Sequence, residues 1–123
     1  MLTVWLLNIL LSFTPANFTG YWLSADQDAV VEITRQGDVY SGRYVAFRKD
    51  PNNPKKKAQL NTYILKGMKP DGNDLTGKVL DPDTGKDYNA TLVPTGANTL
   101  ELRVKVMGLT AHKEAWTRQP GPK

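Results

Sequence analysis

Two side chains near the C-terminus have the spacing for acid–base chemistry. His112 is the only histidine of the chain, and Glu114 follows it by two residues. In a β-strand both side chains would therefore point to the same face. A carboxylate beside an imidazole can orient it as a general base. The alternating strand around the pair favours a simpler interpretation, an exposed ion pair on the surface of a sheet.

Other catalytic or metal-binding patterns have less support. The chain contains no cysteine and one histidine, which excludes thiolate sites and multi-histidine metal sites. No serine lies in a Gly-x-Ser-x-Gly elbow. The acidic segments 71–74 and 81–85 lack the ligand spacing of an EF-hand, and turn chemistry explains them. We therefore predict no enzyme, no catalytic residue, no metal and no cofactor.

A cluster of lysines in one long connection, residues 49–59, could bind anions. It contains Lys49, Lys55, Lys56 and Lys57. Lysines of this kind contact phosphate groups, and the nearby Tyr63 could stack on a base, but the sequence offers no organised aromatic platform. We predict no nucleic-acid partner. A solvated loop is the simplest interpretation, and an anionic envelope surface is the best functional one.

Length and composition predict a single domain. The 123 residues are 40% apolar and 23% charged, with a net charge of +4. This chain is too apolar to be disordered. It is long enough to bury roughly two-thirds of its unfolded surface without disulfides.

The N-terminal segment has a different character from the rest. No charged side chain precedes Asp26, and Leu2 to Phe13 is an almost uninterrupted apolar run. A spanning helix needs about 20 such residues, so the run is too short to cross a bilayer. Its length and the small residues that follow are typical of a secretory signal peptide, residues 1–16. A short helix packed on the domain is the alternative.

Regularly spaced turn residues divide the remaining chain into strands. Gly, Asn, Asp and Pro recur at short intervals, and the segments between them are rich in Val, Ile, Thr and Tyr. The segments predict eight strands, at about 19–24, 29–35, 39–48, 60–69, 74–81, 86–93, 99–107 and 109–118. Strands of this length joined by short turns predict an all-β, antiparallel, up-and-down barrel.

Alternation within the strands predicts which side chains face the barrel interior. Leu100, Leu102 and Val104 share one face of their strand, opposite Glu101 and Arg103. An eight-stranded barrel can be filled by its own side chains or can hold one small ligand. The predicted interior ligand-binding residues are Trp22, Tyr40, Tyr44, Tyr88, Leu102 and Val104.

Several motifs, taken in order, resemble a known family. They are Gly20-Tyr21-Trp22, Val31-Glu32-Ile33-Thr34, Gly37-Asp38-Val39-Tyr40-Ser41-Gly42, Asp50-Pro51-Asn52-Asn53-Pro54, Leu65-Lys66-Gly67-Met68-Lys69-Pro70-Asp71-Gly72, Asp81-Pro82, Gly85-Lys86-Asp87-Tyr88-Asn89-Ala90 and Trp116-Thr117-Arg118. Over about residues 19–118 the chain resembles the small exported bacterial proteins of domain of unknown function 2147. The resemblance implies export and a compact β-barrel, without an established activity or catalytic residues.

A more distant resemblance is to the lipocalins and their calycin relatives. These proteins have Gly-x-Trp in the first strand and an arginine near the last strand, in the places of Gly20, Trp22 and Arg118. A guanidinium stacked on an indole can seal a barrel end while its charge stays near water. The predicted structural seal comprises Gly20, Trp22, Trp116 and Arg118.

These observations lead to two functional hypotheses. The first is a non-enzymatic barrel, residues 17–118, that binds a small apolar ligand or lipid in its interior. The alternative is an envelope interaction module that acts through the outer surface of residues 49–69, which we call the cationic loop. We expect a periplasmic or secreted location and a disordered tail at 119–123. The sequence leaves the oligomeric state open.

We predict that the mature protein begins near Asn17, because residues 1–16 are apolar, lack charged side chains and end in Thr-Pro-Ala. Mass spectrometry of the protein isolated from its own cells checks this prediction. Recovery of a chain that keeps Met1 to Ala16 would contradict it and would support a packed helix or a membrane tether.

Overall fold

The structure, a computed structural model, describes residues 17–123, and the predicted signal segment lies outside them. Eight antiparallel strands form a closed barrel in which β1 also pairs with β8. This confirms the predicted eight-stranded up-and-down fold. The strands are β1 (Gly20–Leu23), β2 (Ala29–Gln36), β3 (Val39–Phe47), β4 (Tyr63–Asp71), β5 (Asp74–Leu80), β6 (Asp87–Gly96), β7 (Thr99–Val106) and β8 (Leu109–Gln119).

The alternation of apolar and polar residues determines which face of each strand lies inside. In β7, Leu100 and Leu102 are buried, whereas Glu101 and Arg103 on the opposite face are partly exposed. Leu100 is directly opposite Trp116 of β8, and Leu102 is opposite Glu114. Side chains of directly opposite residues share a face, so residues 112, 114 and 116 of β8 also face inward.

A β-bulge in β4 depends on a glycine in the neighbouring strand. Gly67 and Met68 together lie opposite Gly77, between the pairs Lys66–Lys78 and Lys69–Thr76. A Cβ atom on Gly77 would lie 2.7 Å from the Met68 sulfur and 2.8 Å from two backbone oxygens. Only glycine allows this close approach. Gly77 therefore allows the irregular pairing of β4 with β5 at Gly67 and Met68.

The barrel is filled at one end, which we call the closed end. Its interior contains large, fully buried side chains that pack with Tyr40 and Phe18. They come from β1, from β4, from the second half of β2 and β6 and from the first half of β5 and β7, which the up-and-down topology brings together. The largest of them are Trp22, Ile33, Leu65, Met68, Leu75, Leu92 and Leu100.

The predicted pairing of Trp22 and Arg118 closes this end. The Arg118 guanidinium lies 4.3 Å from the centroid of the Trp22 ring, and it donates hydrogen bonds to the carbonyl oxygens of Thr19 and Asn17. The Trp22 indole N–H donates to the carbonyl of Phe18 at 2.9 Å. The strand β1 and the segment before it are therefore fixed to the end of β8. We call this arrangement the Trp22–Arg118 seal.

Gly20 allows the guanidinium of the seal to lie against the backbone. Its φ angle is +124°, and a Cβ atom there would lie 2.8 Å from Arg118 Nη1. An L-residue with a side chain would therefore be strained and would displace the arginine. Trp116, which the sequence grouped with this seal, is also buried but lies further toward the other end.

The long connection after β3, interpreted from the sequence as a solvated loop, contains a short helix that the sequence interpretation did not include. Helix α1 spans Pro54–Gln59. The side chain of Asn53 accepts a hydrogen bond from the Lys55 N–H at 2.9 Å, and proline is favoured in the first turn that follows such a cap. No helix within residues 17–123 is long and apolar enough to cross a membrane.

An ion pair fixes helix α1 to the barrel. Lys56 Nζ lies 2.8 Å from a carboxylate oxygen of Asp28, and the Lys49 N–H donates to the other oxygen at 2.8 Å. Burial raises the pKa of Asp28, but hydrogen bonds from Lys56 and from the backbone, together with the Lys56 charge, outweigh it and hold that pKa below its ordinary value. The charged form of Asp28 is thus stabilised by folding.

The residues at the C-terminal end of β8 and beyond it contact Arg48. Strand β8 ends at Gln119, one residue beyond the predicted end of the domain. Arg48 donates hydrogen bonds to the Gln119 side chain and to the Lys123 carbonyl. Disorder of residues 119–123 in solution stays a prediction.

We predict that Trp22→Ala destabilises the fold by about 3–5 kcal/mol, because it removes a large ring that is 1% exposed. Arg118→Ala should cost less, since part of the guanidinium stays near water. Chemical denaturation measures both free energies of unfolding. An unchanged midpoint for Trp22→Ala would show that the seal does not hold the closed end.

Asp28→Asn should reduce stability by about 1–3 kcal/mol at neutral pH, because Lys56 and the Lys49 N–H would lose a charged acceptor. The contribution of a carboxylate with a lowered pKa is complete above its unfolded pKa of about 4 and is lost as pH falls through the folded pKa. Denaturation at neutral pH and at pH values below 4 should therefore show a difference that disappears on acidification. A difference independent of pH would contradict the assignment.

Candidate functional site

The other end of the barrel, the open end, contains a cavity of about 920 Å³. The connections 24–28, 48–62, 81–86 and 107–108 surround this end, because the chain reverses there after every odd-numbered strand. The cavity extends from these connections down to Trp116. Its apolar wall consists of Val31, Ile64, Val79, Leu102, Val104 and Trp116, with the aromatic rings of Tyr44, Phe47 and Tyr88.

The aromatic side chains of this wall line the opening without filling it. Tyr44, Tyr88 and Val104 are only partly buried and pack against the edge of the core. The Tyr44 and Phe47 rings contact each other, with centroids 5.0 Å apart and planes tilted by 51°. The wall thus presents flat apolar surfaces to a ligand, and its aromatic side chains already pack against the core or against each other.

Glu114 is a polar group built into this apolar wall. The Trp116 indole N–H donates to one of its carboxylate oxygens at 2.7 Å, and His112 Nε2 lies 3.3 Å from the other. All three residues line the cavity. The pair is exposed at His112, as expected, with 60% of that side chain accessible. The alternation counted from Trp116 nevertheless places both side chains on the inner face of the strand and not on its outer surface.

Two groups in the cavity can form hydrogen bonds with the polar end of a ligand. The Glu114 carboxylate, oriented by its neighbours, can accept a hydrogen bond or hold a cation. Burial, followed by the negative charges of Glu114 and three aspartates, raises the pKa of Tyr44 to about 12. The Tyr44 phenol is therefore protonated at neutral pH and can donate.

The rim of the cavity is acidic, and lysines of the cationic loop lie against it. Asp26, Asp28, Asp81 and Asp83 are among the residues that line the cavity. In addition to the Lys56–Asp28 pair, Lys55 Nζ lies 3.0 Å from Asp83, and Lys49 Nζ donates to the Asp26 carbonyl. Lysines that the sequence predicts as an anion-binding surface therefore also hold the rim of the barrel.

The structure brings together four of the six predicted interior residues. Tyr44, Tyr88, Leu102 and Val104 line the cavity. Trp22 and Tyr40 belong to the filled core of the closed end instead. Alternation in the sequence predicts that a side chain points inward, but it does not predict how far along the barrel axis that side chain lies. Trp116, predicted as part of the seal, lies at the floor of the cavity.

Two features of the structure are absent from the sequence prediction. Phe18 packs edge to face on Tyr40 at 5.7 Å and covers the closed end, although it precedes the first strand. Glu114 is the polar group of the wall, and its two-residue spacing from Trp116 is the signal that could have placed it. Among residues 17–123, no three His, Asp or Glu side chains are grouped so that they could hold a metal ion.

Comparison with known proteins gives one finding. No curated protein and no solved structure matches the chain. A family model described as "Uncharacterized protein conserved in bacteria (DUF2147)" matches residues 20–118, a range that begins with β1 and ends one residue before the end of β8. This confirms the family resemblance predicted from the motifs, and the chain belongs to the DUF2147 family of bacterial proteins.

Proposed function

We propose that this protein binds a small, mainly apolar ligand, such as a lipid tail, in the cavity at the open end of its barrel. The observation that carries this proposal is a cavity of about 920 Å³ lined by aliphatic and aromatic side chains. Cavities of roughly 300–1,000 Å³ with such walls and a few polar groups are typical of small-molecule sites. A binding role, rather than catalysis, requires only the shape and the apolar surface.

The cavity combines apolar surfaces with two polar groups. The floor at Trp116 and the walls at Leu102 and Val79 are apolar, so an apolar body fits against them. Glu114, which lies opposite Leu102 on the neighbouring strand, and the protonated Tyr44 phenol can accept a hydrogen bond from and donate one to a polar group of the ligand. Transfer of each methylene group from water contributes about 0.8 kcal/mol, which corresponds to about a fourfold gain in affinity.

The second hypothesis, an envelope module that acts through the cationic loop, stays a prediction. The ion pairs of Lys55 and Lys56 with Asp83 and Asp28 neutralise part of its charge. We therefore favour the cavity as the binding site. The two hypotheses differ in their dependence on salt, because apolar burial is not screened by ions whereas contacts between exposed charges are.

We predict that the neutral fluorophore phenylnaphthylamine binds in the cavity and that straight-chain alcohols displace it. Affinity should increase about fourfold per methylene until the chain fills the space. Tyr44→Ala should alter the affinity several-fold. Leu102→Phe should weaken the binding of long chains selectively, because its larger ring narrows the cavity. High salt should change these affinities by less than about twofold.

Two further variants serve as a control and as a test of the alternative site. Lys78→Gln changes an exposed side chain next to Val79 in β5, and it should leave phenylnaphthylamine binding unaltered. Replacement of Lys55, Lys56 and Lys57 together by glutamine tests the cationic loop. An internal site would be contradicted if Tyr44→Ala and Leu102→Phe left probe binding unchanged. It would also be contradicted if probe binding were lost in the triple lysine variant and at high salt.

A further inference from the structure

The hairpin that joins β7 to β8 has an exposed apolar tip. We use the name apolar tip for Val106, Met107, Gly108 and Leu109. The side chains are 43% exposed at Val106, 97% at Met107 and 74% at Leu109. Exposed apolar residues occur singly on most proteins, but three that adjoin at one turn form a patch that suggests an interaction site.

The turn itself does not require these side chains. Met107 has a φ angle of +54° and is followed by Gly108 at +79°. Two-residue hairpins of this kind favour Asn or Asp followed by Gly, because those residues tolerate the left-handed conformation. Methionine at this position is unfavourable for the backbone and gains nothing from burial. Its presence is therefore better explained by a contact outside the barrel.

The apolar tip projects beyond the mouth of the cavity. Val104 and His112, which are paired across the two strands, line the cavity, whereas none of Val106, Met107 and Leu109 does. Val106 is directly opposite Leu109, so their side chains share a face. A surface that contacts the tip would consequently lie next to the opening through which a ligand enters.

Basic side chains flank the apolar tip. Lys105 precedes Val106 and pairs with Thr110, and Lys113 pairs with Arg103 further along the same two strands. Within residues 17–123, neither lysine has a carboxylate within 4.0 Å. Their amines differ in this respect from those of Lys55 and Lys56, which are held by aspartates of the rim.

We propose that the apolar tip docks this protein on an anionic lipid bilayer. Met107 and Leu109 enter the boundary between headgroups and acyl chains, and Lys105 and Lys113 contact anionic headgroups. Apolar side chains with adjacent lysines are the combination that binds such interfaces, because burial and electrostatic attraction add. The proposal goes beyond the ligand site, since it concerns an outer surface and holds whether or not the cavity is occupied.

Co-sedimentation with vesicles tests this proposal. The full chain should bind vesicles that contain phosphatidylglycerol, and it should bind pure phosphatidylcholine vesicles more weakly. The double variant Met107→Asn, Leu109→Thr should reduce the partition coefficient about tenfold or more. Its melting temperature should be unchanged or higher, because asparagine suits the left-handed position of the turn. This variant therefore separates loss of binding from loss of folding.

Lysine variants test the electrostatic part. Lys105→Gln with Lys113→Gln should lower binding to anionic vesicles by about fivefold per lysine and should reduce its dependence on salt. Two controls should bind as the unchanged chain does. Gln27→Asn alters another side chain at positive φ at the same end of the barrel. Lys78→Gln removes the charge of an exposed lysine on the side of the barrel, in β5.

Several outcomes would overturn the proposal. These are no binding of the full chain to anionic vesicles, full binding by the Met107→Asn, Leu109→Thr variant, or loss of binding only in the triple lysine variant. The proposal would also be overturned if the full chain did not bind vesicles but formed a dimer in analytical ultracentrifugation, and the tip variant were a monomer. The apolar tip would then be a contact between two copies of the chain. Phenylnaphthylamine binding by the tip variant, measured without vesicles, should be unchanged, which keeps this test separate from that of the cavity.

Discussion

Eight strands enclose a narrow interior. The position of the large side chains along the barrel axis determines where this interior is filled and where it can hold a ligand. Such a barrel is just wide enough to be filled by side chains or to hold one small ligand. In this chain the bulk is concentrated at the end where Arg118 covers Trp22. With that end filled and sealed, the opposite half does not need to be packed for the fold to be stable. The cavity thus depends on the packing at the other end of the barrel.

The fold was largely predictable from the sequence because its signals are local. Turn residues mark the strand ends, and alternation in β7 shows which side chains face inward. The height of each inward residue was not predictable, because it follows from the register and shear of the whole barrel. Trp22 and Tyr40 are therefore inward, as predicted, but lie outside the cavity. Helix α1 was missed although its signal, Asn53 before Pro54, is local.

The polar part of the site depends on contacts that sequence spacing does not reveal. Strand β8 is polar along most of its length, so alternation alone does not distinguish its two faces. Only Trp116, at one end of the strand, determines that Glu114 lies inside. The pairing of Lys55 with Asp83 joins residues from two separate connections. A run of lysines in the sequence therefore suggests a positive surface, whereas the folded chain combines these lysines with acids from other loops.

The Trp22–Arg118 seal also limits the stage of synthesis at which the barrel can close. Arg118 donates to the carbonyl of Asn17 across 101 positions of sequence, and β1 completes the barrel only by pairing with β8. Contacts between such distant residues form after a large loss of chain entropy, which slows folding. During synthesis, Trp22 has no guanidinium to cover it until nearly the whole domain has left the ribosome. A chain whose first strand pairs with its last has no closed barrel during most of its synthesis, and such an open chain would suit the export predicted from its N-terminal segment.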